Sequence, residues 1–145
     1  MPRNLLVPVA DNRESERAMD VACRLVGDRR AVIAVLHVIE IPPVLPLAAH
    51  MTDEEHGAHR LLERMAAVAD TYGVKVVPRM LQDRNAGEAI VGFAARREVD
   101  LIVIGAPRKP HKPFGSTVEH VLRKADSRVM VISAAPLREP ATAAA

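Results

Sequence analysis

Aromatic side chains are almost missing from this chain of 145 residues: it has no Trp, and Tyr72, Phe93 and Phe114 are its whole complement. Without such platforms the stacking mode of single-stranded nucleic-acid binding is excluded. The core must then be filled by Val, Ile, Leu, Ala and Met, the usual filling of a parallel sheet covered by helices. Cysteine is as scarce. Cys23 stands alone, so no internal disulfide and no cysteine-ligated metal site can form, and a reducing compartment fits. No apolar run approaches the ~20 residues that span a bilayer, and the N-terminus lacks the basic start and apolar stretch of a secretory leader. The expectation is a cytoplasmic protein with no direct membrane insertion. Both common glycine-rich phosphate fingerprints are also missing. No Lys follows Gly115 as GxxxxGK[ST] requires, and the first apolar strand runs into "ADNRES" without a glycine.

What is present is the composition of one ordinary globular domain, 49% apolar and 26% charged. A net charge of +2 is too small to signal nucleic acid unless it is concentrated in a patch. The cations are nevertheless uneven, since Arg108, Lys109 and Lys112 fall within one short stretch. Apolar runs predict strands over Asn4–Val9, Ala31–Ile39, Val74–Leu81, Asp100–Gly105 and Arg128–Ser133. Between them the 3.6-residue period predicts helices. Asp11 with Glu14, Thr52 with Glu55, and Asn85 with Glu88 read as their starts, and Gly27 and Gly73 as two of their ends. The stripe Leu61, Leu62, Met65, Val68, Ala69 and Tyr72 is the expected buried face of the longest helix. Pro78 places the third strand near a sheet edge. This alternation predicts an α/β domain over residues 1–135: a single open, doubly wound, five-stranded parallel sheet with helices on both faces. Residues 136–145 lack periodicity and read as a flexible C-terminal tail.

The stretch "VIGAPRKPHKPFGSTVEHVL" leads from the fourth strand into the last helix. In open α/β sheets ligands settle beyond the carboxyl ends of the strands, where strand order reverses. Gly105 admits close backbone approach there, and Gly115, Ser116 and Thr117 place amide hydrogens and hydroxyls at a helix start that favours an anion. Arg108, Lys109 and Lys112 add positive charge. The same residues also suit a plain helix cap worth about 1 kcal/mol and a solvated connection. On residue types alone the two readings stand side by side.

Other candidates read more simply. His37 fits a core or sheet-end position, and His50, His56 and His59 fit a wet helix face, since HExxH spacing is absent and no metal is expected. His111 and His120 flank the cationic loop as ordinary surface residues. Ser116 and Thr117 lack a His-Asp arrangement that would make either a nucleophile, so no catalytic residue is assigned. Val129, Met130 and Val131 form a pairing edge suited to a two-fold homodimer, unless the C-terminal tail covers it.

"LLVPV" and "ESERAM" near the start, then "DLIVIG", "GSTVEHVLRKA" and "RVMVIS", in this order and spacing, resemble the universal stress protein family. The likeness covers Asn4 to Ser133. It implies a fold similar to the adenine-nucleotide α-hydrolase domains and dimerisation through the last strand. It also implies binding of ATP or AMP through G-x2-G-x9-G-[ST]. Gly105 matches the first glycine of that motif, and Gly115 with Ser116 the final pair. Arg108 stands at the second glycine, and the loop is three residues shorter, with Pro110 and Pro113 in it. That arginine would either collide with phosphates or pair with them. After the first strand, Ala10, Asp11 and Asn12 stand where ATP-binding relatives carry Asp-Gly-Ser, so Asp11 is displaced by one position. The resemblance extends to domains attached to, or encoded with, amino-acid and cation transporters, which would make a transporter a partner.

The resulting expectation is a stress-response regulatory module, not an enzyme, binding an adenine nucleotide through Val9, Ala10, Asp11, Asn12, Val38, Gly105, Ala106, Arg108, Lys109, Gly115, Ser116 and Thr117. The alternative is a dimeric interaction or sensor domain that binds no nucleotide. Catalysis such as ATP hydrolysis is the weakest reading, because no general base or magnesium-binding pair stands at the loop.

Overall fold

The computed structural model describes residues 3–26 and 30–133. Along the chain run β1 (Asn4–Pro8), α1 (Arg13–Leu25), β2 (Val32–Glu40), α2 (Thr52–Thr71), β3 (Val76–Asp83), α3 (Ala86–Arg96), β4 (Leu101–Gly105), α4 (Ser116–Lys124) and β5 (Arg128–Ile132). All strand pairs are parallel, in the order β3-β2-β1-β4-β5. The chain steps outward from β1 to β3, then crosses back to place β4 on the other side of β1. Strand order therefore reverses between β1 and β4.

The apolar runs lie where double-sided burial demands them. Leu5 and Val7 pack with Met19, Met65 and Ala69 beneath α1 and α2, while Leu6 packs with Ile90, Phe93, Val118 and Val121 beneath α3 and α4. Burying either layer against water contributes about 25 cal/mol per Å² of apolar surface removed. The sheet is thus doubly wound, as the sequence predicts. Pro78 stands exposed on the edge strand β3, in register with Val35. At the opposite edge, β5 pairs only with β4 among the described strands.

Three local expectations are corrected. Asn12, not Asp11, caps α1: its side chain accepts the Ser15 amide at 2.8 Å. α2 starts at Thr52 behind Met51 and has no side-chain cap, so Thr52 and Glu55 form no capping box. Tyr72 is 37% exposed, and its hydroxyl donates to Asp20 at 3.1 Å and receives the Arg24 Nε–H at 3.4 Å. Its phenol needs polar partners, which lie at the helix surface. Asn85 caps α3 as expected, accepting the Glu88 amide at 2.9 Å. Gly73 follows α2 with φ +69, the left-handed conformation that glycine adopts without cost from a Cβ. Gly27 and residues 136–145 lie outside the described residues.

Cys23 is 3% exposed on the inner face of α1, and burial, with a smaller contribution from the nearby Asp20 charge, pushes its thiol pKa up to about 11. At the other end of the sheet Asp100 ties β1 to β4, accepting the amides of Asn4 and Arg3, each at 2.7 Å. Those two bonds, Asn4's first, hold its carboxyl below the usual value.

Gly105 has an ordinary φ but no room. A Cβ there would run into the carbonyl carbon of Glu14 and lie 2.7 Å from the Ser15 amide nitrogen, both backbone atoms of α1. Gly57, inside α2, has nothing nearer than the Arg60 guanidinium at 3.9 Å. Urea denaturation should therefore separate the two: Gly105→Ala loses about 1–3 kcal/mol by overpacking, and Gly57→Ala gains about 0.5–1 kcal/mol of helix propensity. Equal effects at both positions would contradict the packing at Gly105. For Asp100 the lowered carboxyl pKa fixes the sign of the pH dependence. Its contribution is full above the unfolded value near 3.9 and is lost as pH falls through the lower native value. Wild type should be more stable than Asp100→Asn at pH 7, and the gap should close on acidification; a gap that persists at the lowest pH would refute the clamp.

Candidate functional site

At the carboxyl ends of β1, β2 and β4, where strand order reverses, the molecule opens a crevice of about 560 Å³. That volume lies within the ordinary range for small-molecule sites. Its apolar surfaces come from Val9, Leu36, Val38, Ile90, Ile104 and Val118. Its polar lining comes from the start of α4 with Lys109 and Lys112, and from Glu40 beside Ala86.

The α4 end is built for negative charge. Gly115 is the N-cap, with extended backbone and no side-chain hydrogen bond to the helix. The amides of Ser116, Thr117 and Val118 have no acceptor within the helix, and the macrodipole adds partial positive charge there. A side chain at 115 would meet Lys109 Cε at 3.1 Å, so the lysine stem lies across the glycine. Space, not backbone conformation, is what glycine supplies at this position.

The turn between β1 and α1 is closed on itself. Ser15, 3% exposed, accepts the Ala10 amide at 2.9 Å through its Oγ, and its own amide goes to Asn12. The Ala10 N–H is therefore used within the protein. Asp11 is 82% exposed at its side chain and pairs with Arg64 of α2 at 2.7 Å. His37 donates Nδ1–H to the Val9 carbonyl at 2.7 Å. Glu40 accepts the Ala86 amide at 3.0 Å. This places a carboxylate at the positive end of α3.

Of the residues singled out from sequence, Val9, Ala10, Asn12, Val38, Gly105, Lys109, Gly115, Ser116 and Thr117 line this crevice. Asp11, Ala106 and Arg108 are not among its lining. Asp11 is drawn to Arg64. Ala106 is fully buried and continues the ladder to Ile132 at 2.8 Å, and Arg108 is exposed on the loop. Gly105 lines the crevice, but its missing side chain serves the contact with α1. Sequence reading missed Glu40 and Ala86, and treated His37 only as a core or sheet-end residue. The available signal was topological: consecutive parallel strands usually pair, so the first charged residue after the second apolar run belongs beside the end of the first.

Among the described residues no group of three or more His, Cys, Asp or Glu side chains converges as a metal site, and no helix is long and apolar enough to cross a membrane.

The sequence model described as the universal stress protein family matches residues 1–133. No match to the chain is found among curated proteins. Solved structures are similar throughout the domain. A universal stress protein from Archaeoglobus fulgidus shares 22% identity at a TM-score of 0.77, covering 91% of this chain and 99% of that one. A structure described as the universal stress protein from Archaeoglobus fulgidus in complex with dAMP shares 21% at 0.73, covering 89% and 96%. A universal stress protein in complex with cAMP shares 18% at 0.75, covering 90% and 97%. The five-stranded sheet with its strand-order reversal and the family match over residues 1–133 agree: this chain belongs to the universal stress protein family.

Proposed function

We propose that this protein is a regulatory module that binds an adenine nucleotide, ATP or AMP, in the crevice over the β1–β4 switch point, with little or no turnover. The observation that carries the reading is the N-terminus of α4, which has no side-chain cap and faces into the crevice beside Lys109 and Lys112. Two lysines and three free amides gather positive potential, and among the described lining residues the sole carboxylate is Glu40, which is already bonded to the Ala86 amide. A phosphate group settles at that positive end and a base lies against Val9, Leu36 and Val38. The dAMP and cAMP complexes of similar folds support an adenine nucleotide as the ligand class. Arg108, exposed on the loop, contributes long-range attraction and not a lining contact. Neither Ser116 nor Thr117 is hydrogen-bonded to a histidine or carboxylate side chain among the described residues, which supports an anchoring role for both hydroxyls. We further propose a homodimer through the β5 edge, where Val129, Met130 and Val131 remain partly exposed.

Titration calorimetry and thermal denaturation with AMP and ATP test the reading. At a hundredfold excess over Kd the ligand should stabilise the fold by about 2.7 kcal/mol. Affinity should fall with added salt, and Lys109→Ala/Lys112→Ala should weaken binding by roughly three- to tenfold, the scale of two exposed ion pairs. Absence of both heat and thermal shift with either nucleotide would transfer the assignment to a dimeric interaction domain without a nucleotide.

A further inference from the structure

We infer that the exposed loop between β2 and α2 docks against the same loop of a second copy of this chain, in a two-fold contact on the β3 side of the molecule. Residues Pro42, Pro43, Val44, Leu45, Pro46, Leu47 and Ala48 form an unbroken apolar run, and every one of them is exposed. Val44 is 89% exposed and Leu47 49%. Single apolar side chains on a surface are ordinary, whereas a contiguous run marks an interaction site.

The loop is held outward by its anchors. Before it, Ile41 is buried and donates its amide to the Asp83 carbonyl at 2.8 Å; after it, Met51 packs with Ile39, Ile41 and Ala58. Between them Gln82 Nε2 donates to the carbonyls of Leu47 and Ala49, each at 3.0 Å, and Arg84 donates to the Pro42 carbonyl at 2.6 Å. Two turns close inside the loop, with the Leu45 amide on Pro42 and the Ala49 amide on Pro46, each at 3.0 Å. The carbonyls of Pro42, Pro46, Leu47 and Ala49 are thereby satisfied within the molecule, and apolar side chains are what the loop offers a partner. Fixed φ at Pro42, Pro43 and Pro46, together with these bonds, leaves little conformational freedom to lose on docking.

The charges at the two ends of the run select the occupant. Arg84 is bonded to its first residue and has no carboxylate partner among the described residues. At the other end the first turn of α2 carries Asp53, Glu54 and Glu55, which likewise have no cationic partner among the described residues. A two-fold axis across the loop sets two copies antiparallel. Arg84 of each copy then meets the α2 carboxylates of the other, while Val44, Leu45 and Leu47 meet across the axis. The same carboxylates repel an anionic lipid surface. Because β3 and β5 are opposite edges of the sheet, this contact is separate from the dimer proposed at β5 and independent of the nucleotide reading. Three large apolar side chains from each copy make a small interface, so the association is weak and transient.

Cross-linking tests the contact, since Cys23, the sole natural thiol, is 3% exposed. Treated with a short bismaleimide, the full chain carrying Val44→Cys should give covalent dimer on a denaturing gel. Val32→Cys, at the opposite end of β2 and 45% exposed, should stay monomeric under the same conditions. Added to Val44→Cys, Asp53→Lys/Glu54→Lys should cut the dimer yield by roughly three- to tenfold, and raised salt should also lower it. Melting curves check that each variant is folded, and the salt series reads the charge pairing without altering Asp53 or Glu54. Equal yields from Val44→Cys and Val32→Cys would mean random collision and overturn the proposal. A yield indifferent to both salt and charge reversal overturns the two-fold pairing. No dimer from Val44→Cys overturns the self-contact; if wild type then sediments with phosphatidylcholine vesicles and Val44→Asp does not, the occupant is a lipid surface instead.

Discussion

Everything at the carboxyl end of the sheet depends on one backbone-to-backbone contact, that of Gly105 with Glu14 and Ser15. With no Cβ at 105, α1 settles directly on the end of β4, and the first turn of the helix and the exit of the strand fix each other. Any side chain would force them apart, because its Cβ would stand well inside contact distance of the Glu14 and Ser15 backbone in an interior packed as densely as an organic crystal. The loop after β4 therefore departs from a defined point. Its continuation, the Ala106 amide bonded to Ile132, carries that definition across to β5. The same helix start is closed by its own side chains, Asn12 to Ser15 and Ser15 to Ala10. Little of the β1 turn is left to move when a ligand arrives.

The chemistry of the crevice follows from that rigidity. Its fixed charges come from backbone dipoles and its mobile ones from lysine side chains. A glycine-rich loop wraps phosphate with amides; here the shorter loop with Pro110 and Pro113 delivers ammonium groups on flexible stems. Amides pre-arranged by a helix give geometry, whereas lysines give charge with loose geometry.

Much of the fold was legible because burial on both sides leaves a strong mark. Apolar runs such as "AVIAVLHVI" and "DLIVIG" have few other places to go than the interior of a parallel sheet. Helix starts were harder to read. Asp11 and Asn12 are both capable caps one residue apart, and the winner was decided by tertiary contacts: Arg64 holds Asp11 outward, leaving Asn12 to bond Ser15. The reason for Gly105 was also hidden. Sequence can show that a glycine occurs at a strand end, but whether a ligand or a helix occupies the space depends on how α1 docks. Glu40 escaped notice because its place in the crevice is set by neighbours far away in the chain, through the Ala86 amide. Site residues carried on a motif were easy to find, and those assembled by topology were not.

The single thiol of this molecule is also its quietest reactive group. With its pKa displaced to about 11, Cys23 holds almost no thiolate at neutral pH, and its place on the inner face of α1 shields it from solvent. A protein of a stress-response family thus carries a thiol that peroxides and alkylating agents reach only when the α1 layer opens. The rate at which that thiol is modified becomes an internal clock for breathing of the sheet's α1–α2 side, with no label added to the chain.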